Sequence, residues 1–272
     1  MNWKKILVGK WSWSRPFKSL LFVYLVLLAI ALTSADSLIF QPPGTKYSSN
    51  WENYLTIKDP DATEIAAYYR EAADEMPTIL WSHGNAENLA TVKEAMDGLH
   101  ELGYGTLAYD YPGYGDSPGD PDEEACQRAI ALAYQHLVQE KKISPQRIIL
   151  AGQSVGSGPT CWLAEREEHG GVILISPFLS AFRTVTRIPL FPCDRFPNLN
   201  RIKNIKTPLL VIHGEEDGVI PFKDGKELYE LSAAEDKTFL PIPNAGHNNI
   251  FIKGAIPIFN AIHELSEKTK TE

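Results

Sequence analysis

The run Arg147-Ile148-Ile149-Leu150-Ala151-Gly152-Gln153-Ser154-Val155-Gly156 restricts the fold of this chain more than any other stretch. A short apolar strand runs into Gly-x-Ser-x-Gly, and the small residues Ser157 and Gly158 follow. That order describes a sharp strand-to-helix turn that holds its serine in a strained backbone conformation. Gly152 and Gly156 flank the serine because a side chain at either place would strike the neighbouring strand or helix. The turn lifts the Ser154 hydroxyl above the end of a sheet. It also leaves the Val155 N–H at a helix N-terminus, where it can stabilise negative charge.

The rest of the body supplies the sheet that such a turn needs. Two short alternating segments, 54–58 and 65–70, predict an antiparallel start. Apolar runs at 78–82, 106–109, 147–151, 172–175, 209–212 and 238–242 read as further strands. Helical stretches at about 88–102 and 121–140, one after the serine turn and one at the C-terminus alternate with them. Strands alternating with helices predict an α/β fold with a mostly parallel, doubly wound sheet. Active residues then gather at the carboxyl ends of the strands. The chain has 272 residues, enough for one such domain. We place that domain at 51–268, after a linker at 37–50 that includes Gln41-Pro42-Pro43-Gly44.

A serine hydroxyl is a weak nucleophile until a histidine takes its proton and an acid orients that histidine. In chain order after Ser154, the run 209–212 ends in His213-Gly214-Glu215-Glu216-Asp217, and the last strand ends in Asn244-Ala245-Gly246-His247. We assign Ser154 as nucleophile, Asp217 as acid and His247 as base, with Glu215 and Glu216 as competing acids. The loop His83-Gly84-Asn85-Ala86, after the strand at 78–82, is placed to add a second oxyanion donor, the Asn85 N–H, beside that of Val155. His83, Asp110 and His213 read as structural.

The first 35 residues carry Lys4, Lys5, Lys10, Arg15 and Lys18 and no acid, so the body is more acidic than the net charge of −8. An acidic body argues against nucleic acid as a partner. The cysteines Cys126, Cys161 and Cys193 lie far apart and show no metal-ligand spacing, so neither a metal nor a cofactor is expected. Residues 1–36 read as a basic, tryptophan-bearing leader followed by the apolar segment Leu20–Leu32. This pattern predicts export, with the basic flank left in the cytoplasm and the body outside it. The segment reads as a retained single-pass anchor; the alternative is a signal cut after Thr33-Ser34-Ala35, which would release a soluble exported protein.

The pieces Ser82-His83-Gly84-Asn85-Ala86-Glu87, Tyr109-Asp110-Tyr111-Pro112-Gly113-Tyr114-Gly115, Gly152-Gln153-Ser154-Val155-Gly156 and Asp194-Arg195-Phe196-Pro197-Asn198 resemble one branch of the α/β-hydrolase superfamily. It is the branch of membrane-tethered, serine-aminopeptidase-like hydrolases whose relatives include protein depalmitoylases. The resemblance covers about residues 38–265. It implies an α/β-hydrolase fold, a triad on Ser154, Asp217 and His247, no cofactor and membrane association. The chain departs from the depalmitoylases in lacking their cluster of N-terminal cysteines. Residues 179–207 stand where hydrolases insert lids, and a lid this short predicts an open pocket suited to short or medium acyl groups. The expected activity is hydrolysis of ester or thioester acyl bonds on a small or lipid-like substrate. An amide or peptide hydrolase on the same triad and a non-catalytic, membrane-tethered binding protein are the alternatives.

Overall fold

Strands that are apolar on both faces must be covered on both faces, and the body is built accordingly. The computed structural model of the chain describes residues 14–44, 47, 50–59 and 63–269. Its eight strands are β1 (Tyr54–Lys58), β2 (Glu64–Arg70), β3 (Thr78–Ser82), β4 (Gly105–Tyr109), β5 (Ile148–Gln153), β6 (Gly171–Ile175), β7 (Leu209–Gly214) and β8 (Lys237–Ile242). They form one sheet in the order β1-β2-β4-β3-β5-β6-β7-β8. β2 pairs antiparallel with β1 and β4, and every other pairing is parallel. The mostly parallel sheet and its antiparallel start are those read from the sequence, with strand ends shifted by a residue or two.

Side-chain alternation along the central strands divides the core in two. Leu80, Leu150, Leu174 and Val211 face one side, where they cluster with Ile130, Cys161 and Leu228. Those three residues belong to α3 (Glu123–Gln135), α4 (Ser157–Ala164) and α7 (Phe222–Leu231). Ile79, Ile149, Ile173 and Leu210 face the other side, against Val92, Met96, Ile258 and Ile262. These come from α2 (Leu89–Glu101) and α8 (Ile250–Lys268). α2 starts where Asn88 accepts from the Ala90 N–H and Thr91 closes a reciprocal cap. α3 starts where Asp122 accepts from the Ala125 N–H. The cysteines are unpaired, and two of them, Cys126 and Cys161, are buried.

The N-terminal helix α1 (Ser14–Ile39) is longer than the apolar segment that announced it. Pro16 lies in its first turn, where a missing N–H costs no helical bond. Toward the other end Thr33 Oγ1 donates to Ala29 O and Ser37 Oγ to Ser34 O, so polar side chains are satisfied within the helix. The linker expected from residue 37 therefore begins only after Ile39. At a rise of about 1.5 Å per residue α1 is about 39 Å long, and it is long and apolar enough to cross a membrane. The leader lysines and tryptophans at positions 3–13 lie outside the described residues.

Candidate active site

Each functional candidate stands just past the carboxyl end of a parallel strand: Asn85 after β3, Ser154 after β5, Asp217 after β7 and His247 after β8. Ser154 has φ +53°, the left-handed strain expected of the turn. Gly156 is required by contact: a Cβ there would lie 2.1 Å from Ser82 O, on the neighbouring strand.

The structure brings Ser154, His247 and Asp217 into one line. His247 Nε2 lies 3.0 Å from Ser154 Oγ, and His247 Nδ1 lies 2.8 Å from Asp217 Oδ2. With the proton on Nδ1, the ring donates to the carboxylate and accepts from the hydroxyl. The Asp217 side chain is fully buried, that of His247 12% exposed. The other carboxylate oxygen, Asp217 Oδ1, accepts from the Val219 and Ile220 N–H groups. Burial alone would raise the Asp217 pKa. Hydrogen bonding from His213 and His247 and from the Ile220 N–H outweighs it and holds the carboxyl well below the usual range. The competing acids Glu215 and Glu216 are exposed.

The residues read as structural take up supporting positions. His83 is buried, with Nε2 3.4 Å from Asp110 Oδ1. Asp110 accepts from the Leu89 N–H and the Tyr47 hydroxyl, which ties the β4 loop to α2. His213 does more than fill the core. Its Nε2 is 3.1 Å from Ile220 O and 3.4 Å from Asp217 Oδ2, so it faces the same carboxylate oxygen as His247.

The chain matches the model of the family described as serine aminopeptidase, S33, over residues 74–192. It is 37% identical to α/β-hydrolase domain-containing protein 17B of Homo sapiens over 250 residues, covering 81% of this chain and 86% of that protein. The chain belongs to the α/β-hydrolase family. The hydrolase is also 37% identical to the α/β-hydrolase domain-containing protein aho-3 of Caenorhabditis elegans, over 186 residues. That alignment takes in 65% of this chain and 54% of the worm protein, so it spans little more than half of the relative. Among solved structures, the esterase Pf2001 of Pyrococcus furiosus superposes with a TM-score of 0.68 at 18% identity, covering 84% of this chain and 99% of that one. At that identity the likeness is one of fold.

Beside this line of side chains the hydrolase has a cavity of about 840 Å³, onto which Ser154, His247, Asn85 and Val155 all open. Its cover differs from the one expected. The lid, with α5 (Arg183–Thr186) and Phe191, forms one wall, but α1 forms another through Leu27, Ile30, Ala31 and Ala35. Sequence reading treated α1 as an anchor alone. Its half-buried and buried positions Tyr24, Leu28, Ala31 and Ala35 repeat at helical spacing on one face, the face that packs on the body.

The Phe196-Pro197-Asn198 piece, which carried part of the resemblance, buttresses the Ser154 turn. Asn198 is buried in α6 (Asn198–Arg201), and its Nδ2 donates to Phe178 O and Ser157 Oγ. Ser157 Oγ in turn donates to Ser154 O. Phe196 packs so closely on Gly158 that a Cβ there would lie 2.3 Å from its ring.

Proposed function

We propose that the protein is a serine hydrolase that cleaves ester or thioester acyl bonds through an acyl-enzyme. The observation that carries this reading is the unbroken line Asp217–His247–Ser154, with Oγ opening onto an apolar cavity. Ser154 Oγ attacks the acyl carbonyl carbon while its proton passes to His247 Nε2. The carbonyl oxygen becomes an oxyanion between the N–H groups of Val155 and Asn85; loss of one such donor costs about 3 kcal/mol. As the tetrahedral intermediate collapses, the C–O or C–S bond breaks and His247 gives the proton to the leaving oxygen or sulfur. Water then repeats the sequence on the acyl-serine, with His247 as base, and releases the carboxylic acid.

The make-up of the cavity favours this over peptide hydrolysis. An aminopeptidase needs an anion for its substrate's ammonium group. Glu87, which accepts from the Gly84 N–H, is the one carboxylate lining the cavity among the described residues; the rest of the lining is mostly apolar and suits an acyl chain better than a charged peptide end. The basic leader and α1 support a single-pass anchor with the catalytic body outside the cytoplasm.

The test is a fluorophosphonate probe on the full chain, read with p-nitrophenyl ester turnover. Labelling of wild type but not of Ser154→Ala, with turnover lost in the same variant, is expected. Equal labelling of both would overturn the reading, and no labelling at all would favour a binding protein.

A further inference from the structure

We propose that α1 is a wall of the acyl-binding site as well as an anchor, and that the acyl chain of a bilayer-resident ester or thioester reaches Ser154 along it. The proposal rests on the acyl-hydrolase reading above and adds the source and path of the substrate.

Three observations carry it. First, α1 is fixed to the catalytic loops. Asn85, whose N–H we assign to the oxyanion, uses its side chain as a clamp: Nδ2 donates to Ile39 O at 2.7 Å and Oδ1 accepts from the Gln41 N–H at 2.9 Å. Farther up the helix, Tyr24 stacks on the lid residue Phe191 at 6.1 Å, and Asp36 pairs with Arg195 at 3.3 Å. The position of α1 over the site is therefore built in at both ends of the contact.

Second, the face of α1 that meets the cavity is cut away. Ala31 and Ala35, one turn apart, are 8% and 3% exposed and line the cavity. Larger side chains there would fill the space between α1 and the lid. The gap leads from Ser154 along the helix, between apolar walls, and suits an alkyl chain.

Third, the length of α1 sets the depth of the site. Residues 14–30 rise about 26 Å, a little short of the roughly 30 Å hydrocarbon core of a bilayer. Leu20, Leu21, Phe22, Val23 and Leu25 are exposed and face outward as lipid-facing residues do. A helix inserted to that depth sets the stretch docked from Tyr24 onward, and with it the cavity mouth, in the outer hydrocarbon and at the membrane surface. The lid tip agrees, since Val185 is 82% and Ile188 57% exposed, large apolar side chains with no protein cover. A long acyl chain entering there never crosses water, which removes the cost of hydrating it.

The test uses the full chain in mixed lipid–detergent micelles and compares kcat/KM for p-nitrophenyl hexadecanoate and butanoate. Ala35→Phe and Ala31→Phe should each lower the long-to-short ratio at least ten-fold, while Leu21→Phe, on the outward face, leaves it as in wild type. An unchanged ratio in both alanine variants, with Ser154 still labelled by fluorophosphonate, would overturn the role of α1 and leave the hydrolase reading standing. A long-chain alkyl fluorophosphonate with a terminal diazirine gives a second readout that needs no substitution. Photo-crosslinks on residues 24–35 support the proposal, and crosslinks confined to residues 50–269 contradict it. Failure of any fluorophosphonate to react at Ser154 would remove the acyl-hydrolase reading and this proposal with it.

Discussion

The floor and the roof of the active-site cavity are held by different forces. The floor consists of Ser154, His247 and Asp217 on loops at the ends of β5, β8 and β7, and nearly every polar atom there has a named partner. Asp217 alone accepts from His247 and from the N–H groups of Val219 and Ile220. The roof, α1 and the lid, is tied by hydrogen bonds at its edges, where Asn85 holds Ile39 and Gln41 and Asp194 accepts from the Ser180 hydroxyl and the Phe182 N–H; across the cavity it rests on ring contacts such as Tyr24–Phe191 and Phe182–Phe191 and on the part-exposed ion pair Arg195–Asp36. Directional bonds fix a geometry to tenths of an ångström, as proton transfer demands. Apolar contacts are non-directional and can yield to substrates of differing length. The division suits the proposed acyl hydrolase, whose chemistry would be constant while acyl chains of different length slide in.

The largest effects should come from the floor. His247→Ala should cut kcat by about 10⁴–10⁶-fold, and Asp217→Asn by about 10³–10⁴-fold, with the fold retained on circular dichroism. Full activity in Asp217→Asn beside a dead Glu216→Gln would move the acid one residue and break the line described above.

The pH profile should sharpen the same contrast. Asp217 is held well below the carboxylate range, so it stays ionised wherever the protein is folded. Because imidazolium cannot accept the serine proton, kcat/KM should show an acid limb that falls ten-fold per pH unit as the histidine base is protonated. A steeper limb would mean that a second group titrates with it. The sign for stability follows from the depressed pKa. Asp217 contributes stability above the unfolded carboxyl pKa of about 3.9 and loses it as the pH falls further.

Asn198→Ala should come next. It leaves the Phe178 carbonyl and the Ser157 hydroxyl without a buried donor, at a cost of about 1–3 kcal/mol in denaturant unfolding. Arg195→Ala should be the smallest. Its pair with Asp36 is part-exposed and worth at most about 1 kcal/mol, so the melting temperature and the chain-length ratio should barely move. A large loss there would mean that the roof is held by charge after all.

The same contrast separates what the sequence made legible from what it did not. The floor is written in local motifs: Gly152 to Gly156 with its flanking strand, and Asp217 and His247 each a few residues past an apolar run. The geometry requires those residue types at those places, so they can be read without contacts. His213 and Asn198 were missed because their roles depend on what folds against them. A histidine four residues before Asp217 and an asparagine after Phe196-Pro197 have no distinctive spacing by themselves. The wall formed by α1 was missed for a related reason. An apolar helix is read first as an anchor, and only tertiary packing shows that Ala31 and Ala35 face a cavity while Leu21 and Phe22 face outward.

The account stands or falls on covalent chemistry at Ser154, and rapid-quench mass spectrometry during turnover of a p-nitrophenyl ester tests this directly. It should trap an acyl group on the peptide that contains Ser154, with a p-nitrophenol burst close to one equivalent per enzyme, provided deacylation is the slower step. Acyl transfer to Cys161 or Cys193, or an Ser154→Ala variant that still turns over the ester, would contradict it.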